Sequence, residues 1–187
     1  MNYATLGRRL IENGYHAIPI IPGFKEPGYR DSLGNDQTIL GWQKYCAAPP
    51  ADWEVDLWEM VEAYVGIAAG RVCMIDIDIL DPDLALKVEK RVLEIVGIDE
   101  APVRTGRHPK RAILFRAEET ISASARSWEH NGQKAGLDIL AHGRQMVAFG
   151  LHPETHRQYV WRGGPPDVVP RDDLPEITND HIRQILE

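Results

Sequence analysis

Apolar residues come in short blocks along the chain, and their spacing separates helices from strands. Leu6 and Leu10 share one face of a helix expected over Tyr3 to Asn13, with Gly14 as its stop. His16 to Ile21 predicts a buried strand, ended by Pro22-Gly23. Residues 24–41 are polar and rich in Gly and Pro, which predicts a loop. Asp52 is expected to cap a second helix running to about Tyr64. Val65 to Ala69 and Arg71 to Ile79 predict two strands separated by Gly70. Asp81-Pro82-Asp83 carries an N-cap acid and a first-turn proline; Leu84, Val88, Val92 and Ile95 then recur at helical spacing until Gly97. Further strands are expected at Arg111 to Phe115, Leu137 to Leu140, Gln145 to Phe149 and Gln158 to Trp161. Residues 162–177 predict a loop, and Thr178 caps a last helix carrying Ile182, Ile185 and Leu186. This order predicts an α+β fold, with one mostly antiparallel sheet and flanking helices.

The 187 residues suit a single domain with a sizeable core. Cys46 and Cys73 follow no metal-ligand spacing and predict free thiols in a reducing compartment. No apolar run is long enough to cross a bilayer, so no membrane partner and a cytoplasmic location are expected. The net charge of -7 argues against a surface that is nucleic-acid-binding throughout. It leaves room for a local basic groove beside an acidic site.

Asp76-Ile77-Asp78 is the most informative tripeptide. On a strand, Asp76 and Asp78 point to the same face, their Cα atoms about 6.5–7 Å apart. Ile75, Ile77 and Ile79 point to the other face, into a core. No Lys or Arg lies between Val72 and Leu80. Two close anions beside an apolar layer call for a cation, and carboxylate oxygens favour Mg²⁺ or Mn²⁺. The alternative is a solvated strand end leading into a helix cap. Asp138, in Leu137-Asp-Ile-Leu140, would complete a carboxylate triad if its strand lies beside the first; otherwise it is an ordinary edge-strand acid.

Arg104-Thr105-Gly106-Arg107-His108-Pro109-Lys110-Arg111 forms a basic turn before an apolar strand. Its cations and the Thr105 hydroxyl suit a triphosphate. The alternative is an exposed basic turn, with His108 an ordinary loop histidine. Arg144 opens a later strand, where it would meet a phosphate or a DNA strand, or only form a turn. His152-Pro-Glu-Thr-His156 is expected to join two strands as a hairpin; Pro153 excludes the helical zinc-protease arrangement. A structural or substrate-contacting turn is the reading preferred for it over zinc.

In order and spacing, these pieces resemble the bifunctional primase-polymerase domain of the archaeo-eukaryotic primase superfamily, in the form found in phage and plasmid members. The resemblance runs from about Leu6 to Trp161. It includes Asn13-Gly-Tyr15, Ile18-Pro-Ile-Ile-Pro-Gly23, Lys25-Glu-Pro27, Gly41-Trp42, Val65-Gly-Ile-Ala-Ala-Gly70 and Asp76-x-Asp78. It continues with Lys110-Arg111-Ala-Ile-Leu-Phe115, Asp138, Gly150-x-His152-Pro-x-Thr155 and Tyr159-x-Trp161. It implies an RNA-recognition-like sheet with flanking helices, a smaller α/β part, and an active site between them. It implies one catalytic domain over 1–187: 1–70 as the smaller part and connecting elements, 71–162 as the catalytic sheet, 163–187 as a C-terminal extension.

The resemblance further implies a template-dependent primase or DNA polymerase in which Asp76, Asp78 and Asp138 bind two divalent ions, Mg²⁺ or Mn²⁺. Arg104, Thr105, Arg107, His108, Lys110, Arg111, Arg144 and His152 are then the expected nucleotide contacts. Expected partners are nucleoside triphosphates, single-stranded or primed DNA, and a replicative helicase as a domain or separate protein. The family's second motif usually has a histidine just before its strand, where this chain has Arg111. Either Lys110 and Arg111 replace it by charge, or nucleotide binds poorly. Two other readings stand beside this one: a metal-dependent nuclease or replication initiator, and a non-catalytic nucleotide- or DNA-binding module on the same scaffold.

Overall fold

The computed structural model describes residues 2–187. Helices are α1 (Tyr3–Glu12), α2 (Asp52–Glu59), α3 (Pro82–Val96) and α4 (Asn179–Leu186). Strands are β1 (Ala17–Ile20), β2 (Gly28–Arg30), β3 (Asp36–Thr38), β4 (Tyr64–Ala68), β5 (Val72–Asp78) and β6 (Val103–Thr105). They continue with β7 (Arg111–Arg116), β8 (Ser124–His130), β9 (Gln133–Leu140), β10 (Gln145–Phe149) and β11 (Val160–Arg162). The fold is α+β.

Among the described residues the strands form one large antiparallel sheet, a smaller sheet and a hairpin. A six-stranded antiparallel sheet has the order β11-β6-β7-β5-β9-β8, a smaller sheet the order β1-β4-β10, and β2 and β3 pair as a hairpin. Central strand β5 is apolar on both faces for its first half, as a strand covered on both sides must be. One face, with Cys73, Ile75, Ile77, Ile113, Phe115, Leu137 and Ile139, packs against α3 and α4. The other, with Val72, Met74, Ala112 and Leu114, joins the core of the small sheet, α1 and α2. That second face stays covered only as far as Met74. Beyond it Asp76 and Asp78 emerge from the layer.

Several boundaries differ from the sequence expectation, each for a physical reason. Helix α2 stops at Glu59 because Tyr64 is taken into β4, opposite Ile20. Ala51, not Asp52, is its N-cap residue; the Glu54 carboxylate accepts from the Ala51 N–H at 2.9 Å and supplies the cap. Strands β2 and β3 lie inside the expected 24–41 loop. Strand β8 carries no apolar alternation and lies at a sheet edge. The expected 147–161 hairpin closes only at its tip, where Leu151 bridges Gln158. Beyond the tip its arms part: β10 joins the small sheet, although it lies within 71–162, and β11 the large one. No described helix is long and apolar enough to cross a membrane.

Candidate functional site

Strand register builds the site. Asp76 of β5 lies opposite Asp138 of β9 on one side and Ala112 of β7 on the other. Ala112 in turn lies opposite Arg104 of β6. Directly paired residues share a face, so Asp138, Asp76 and Arg104 project together, with only the Ala112 methyl between Asp76 and Arg104. Asp78, two residues on, shares that face opposite Gly136.

The face opens into a polar cleft of about 290 Å³ lined by all three aspartates. Its basic wall is formed by Lys25, Arg104, Arg107 and Lys110, with His152, Glu154 and Tyr159 completing it. Charges are paired across it. Lys110 Nζ is ion-paired with Asp78, and Arg107 with Glu154. The Lys110 ammonium closes on Asp78 Oδ1 and covers that oxygen from solvent. Burial pushes the Asp76 carboxyl above the usual aspartate range; Arg104 and Lys25 oppose that rise, while Asp138 and Asp78 add to it.

Arg104 is built in, not free. Its guanidinium lies over the Tyr159 ring, 4.6 Å from the centroid, and donates to the Val147 carbonyl of β10. It ties the two sheets together and sets a fixed positive charge beside Asp76. Tyr159 is itself buried, and its hydroxyl has no hydrogen-bond partner. His152 is buried against Tyr159, with ring centroids 5.6 Å apart. Its Nδ1 accepts from the backbone N–H groups of Glu154 at 3.2 Å and Thr155 at 3.4 Å. The neutral ring therefore carries its proton on Nε2. Burial, then Lys25, push the His152 pKa down, so the ring is neutral at pH 7. Gly106 permits this packing: a Cβ there would lie 2.3 Å from Tyr159 Cε1 and 2.8 Å from His152 Cδ2.

The expected contacts divide. Arg104, Arg107, Lys110 and His152 line the cleft with the three aspartates. Arg111 borders it, but its position opposite Ile77 turns the side chain to the helix face, where it pairs with buried Glu89 of α3. Thr105 follows Arg104 on β6 and alternates to the face of Val103. His108 is exposed outside the cleft lining. Arg144 lines a neighbouring groove that shares Asp138 with the cleft. His156 is exposed, and its backbone N–H donates to the His152 carbonyl at 2.9 Å. Lys25 and Tyr159 belong to the site but were not among the expected contacts, although both lie in the quoted resemblance segments.

Among the described residues, no three His, Cys, Asp or Glu side chains form a ready-made metal cage. Mg²⁺ characteristically binds through one or two carboxylates plus water and substrate phosphates, so such a cage is not required. The donor set is all oxygen, three carboxylates on one open face of the cleft. These residues fit hard divalent ions.

A family model described as bifunctional DNA primase/polymerase, N-terminal, matches residues 7–177. No curated protein matches the chain.

Proposed function

This chain belongs to the bifunctional DNA primase/polymerase family, and from that premise we propose that its cleft joins nucleoside triphosphates along a DNA template using two divalent ions, Mg²⁺ or Mn²⁺. The family implies primase/polymerase activity in general. The observation that carries the finer reading is the cross-strand row Asp138–Asp76–Ala112–Arg104, which sets carboxylates beside a fixed cation on one open face.

In this reading Asp76, Asp78 and Asp138 hold the ions, which supply charge neutralisation of the phosphates and acidify the attacking hydroxyl. Lys25, Arg107 and Lys110 bind the triphosphate tail, and the His152 Nε2–H donates to a phosphate oxygen. Arg104 stays in place under Tyr159 and supplies field, with no movement needed at the moment of reaction. In the step itself, the 3′ oxygen bonds to the α-phosphorus. The bond from that phosphorus to the oxygen bridging to the β-phosphate breaks, pyrophosphate departs with the electron pair, and the hydroxyl proton passes to water. The setting we favour is phage- or plasmid-type replication, with a helicase as partner, on the form of the Gly150-to-Trp161 segment.

Incorporation of labelled nucleotides on primed and bare single-stranded DNA, with Mg²⁺ or Mn²⁺, tests the proposal. Asp76→Ala/Asp78→Ala should abolish synthesis and leave the fold intact, because it removes mutual carboxylate repulsion. Undiminished synthesis by that variant would end the assignment. One observation favours a second reading, a nucleotide-binding module without turnover: Arg111, where the family usually has its motif histidine, is engaged by Glu89. Nucleotide binding by the parent with no incorporation under either metal would select it.

A further inference from the structure

We propose that two copies of this chain pair edge to edge through β8, antiparallel about a twofold axis at Ser127, so that one sheet runs across the dimer. The inference is independent of the nucleotidyl-transfer reading and goes beyond it.

An unpaired sheet edge offers a row of N–H and C=O groups to another strand, and proteins blunt such edges with short strands, proline or bulges. The other edges of this fold carry those devices. Strands β2, β3 and β11 have three residues each. Strand β1 contains Pro19, and β10 is irregular between Val147 and Phe149. Strand β8 has seven residues, without Pro or Gly, in unbroken register with β9.

The hairpin fixes which groups of β8 face outward. Asn131 and Gly132, at φ 51° and 74°, form a two-residue turn closed by His130 opposite Gln133. That closing pair is hydrogen-bonded, and bonded pairs alternate with open ones along the ladder. Ser124, Arg126, Trp128 and His130 therefore bond to β9. Ala125, Ser127 and Glu129 turn their N–H and C=O groups outward. Among the described residues these groups make no backbone hydrogen bond outside the ladder.

Charge and bonding select the register. Paired residues share a face, so a twofold that keeps the faces continuous must pass through a residue position. An axis at Arg126 sets two guanidinium groups opposite each other. An axis at Trp128 sets Arg126 opposite the partner's His130 and Ala125 against the turn. An axis at Ser127 pairs Arg126 with the partner's Trp128, Ala125 with the partner's Glu129 and Ser124 with the partner's His130. No like charges then lie opposite, and Ala125, Ser127 and Glu129 all bond across the axis. Arg126 meets the indole at a non-hydrogen-bonded position, where side chains approach most closely and a cation–π contact is favoured. Arg126 and Trp128 also border an apolar hollow of about 370 Å³ under α3 and α4, so apolar surface is covered as the ladder forms. Asp138 shares the face of Ala125. Both acidic faces therefore open on the same side of the joined sheet. Their Asp138 residues lie three strand spacings across and four residues along, about 20 Å apart.

An edge contact of this size belongs to the weak class, with a Kd of about 1–100 μM. Sedimentation velocity across that range tests it, with the whole chain and with Ser127→Lys and Ser127→Pro. The first variant sets two ammonium groups opposite each other at the axis; the second removes an outward N–H and costs no bond to β9. Each should raise the Kd about tenfold or more, with Tm close to that of the parent. Ser127→Cys should form a disulfide-linked dimer under oxidised glutathione, because the two Cα atoms face each other at about 5.5 Å. Ser124→Cys should not, with its two copies about 20 Å apart. The native Cys46 and Cys73 are buried and add little background. A parent that stays monomeric throughout would overturn the proposal. So would a dimer indifferent to Ser127→Lys, or equal cross-linking at positions 124 and 127.

Discussion

The Lys110 ammonium is ion-paired with Asp78, the outermost of the three aspartates. A protein cation thus stands where, in the proposed two-ion reading, a metal would need the carboxylate, and it would have to leave when metal and phosphate arrive. Lys110→Met should therefore change two affinities in opposite directions. Mn²⁺ alone, followed by electron paramagnetic resonance, should bind more tightly. Nucleotide should bind about tenfold more weakly, the loss expected for one charge-assisted contact. A loss in both would mean that Lys110 only shapes the site.

Asp76 gives a stability prediction with a definite sign. Its folded-state pKa is raised, chiefly by burial. Below the ordinary aspartate pKa it is neutral in both states and contributes nothing. As pH rises through the ordinary value toward the raised one, the folded state alone holds the proton, and stability falls. Asp76→Asn should be more stable than the parent at pH 7, lose that advantage in acid, and be inactive. Urea unfolding at pH 7 and pH 3 measures both ends.

His152 acts at the acid end with the opposite sense. Its folded-state pKa is lowered, so its stabilisation is full at neutral pH and is lost as pH falls below about 6.5. His16 is buried with Nδ1 2.6 Å from the Tyr45 carbonyl, and burial lowers its pKa too. His152→Gln should flatten the decline in Tm below pH 6.5, but only in part, because His16 remains.

Gly106→Ala should cost about 1–3 kcal/mol, the range for overpacking, because the new methyl meets Tyr159 and His152. Nucleotide affinity should fall with it as His152 is displaced. Chemical denaturation and calorimetry on one preparation provide both numbers.

Glu89 is buried on α3 and pairs with both Arg111 and Arg162. Glu89→Ala strands the Arg111 charge, 11% exposed, and should cost about 3–5 kcal/mol. Glu89→Ala/Arg111→Met should recover much of that loss. A double-mutant cycle by urea unfolding would show the coupling.

What the sequence revealed follows from physical range. Alternation along β5 placed Asp76 and Asp78 on one face, since that needs only neighbours in the chain. Whether Asp138 joined them depended on register between distant strands, which alternation does not contain. The same gap left the direction of Arg111 open. The parity of Arg111-Ala-Ile-Leu-Phe115 separates two faces, but only the pairing of Arg111 with Ile77 shows which one α3 covers. Strand β8 was missed because both its faces are largely solvated, so Ser124-Ala-Arg-Ser127 has no hydrophobic period. Lys25 comes from a loop with no periodicity, brought to the cleft by tertiary contacts such as Gln145 Nε2 donating to its carbonyl at 2.6 Å.

The chain passes from the small sheet to the large one after β4, returns for β10, and leaves again for β11. The two halves are therefore sewn together, with no single connecting thread. Cutting at Gly70 cannot release either as an independent module, because the first would lack its third strand and the second would carry that strand without a mate. Opening the cleft wide would also strain several crossings at once, so the seam favours small sliding adjustments over a clamshell swing. A designer wishing to regraft the acidic face onto another scaffold would have to carry β10 along with it.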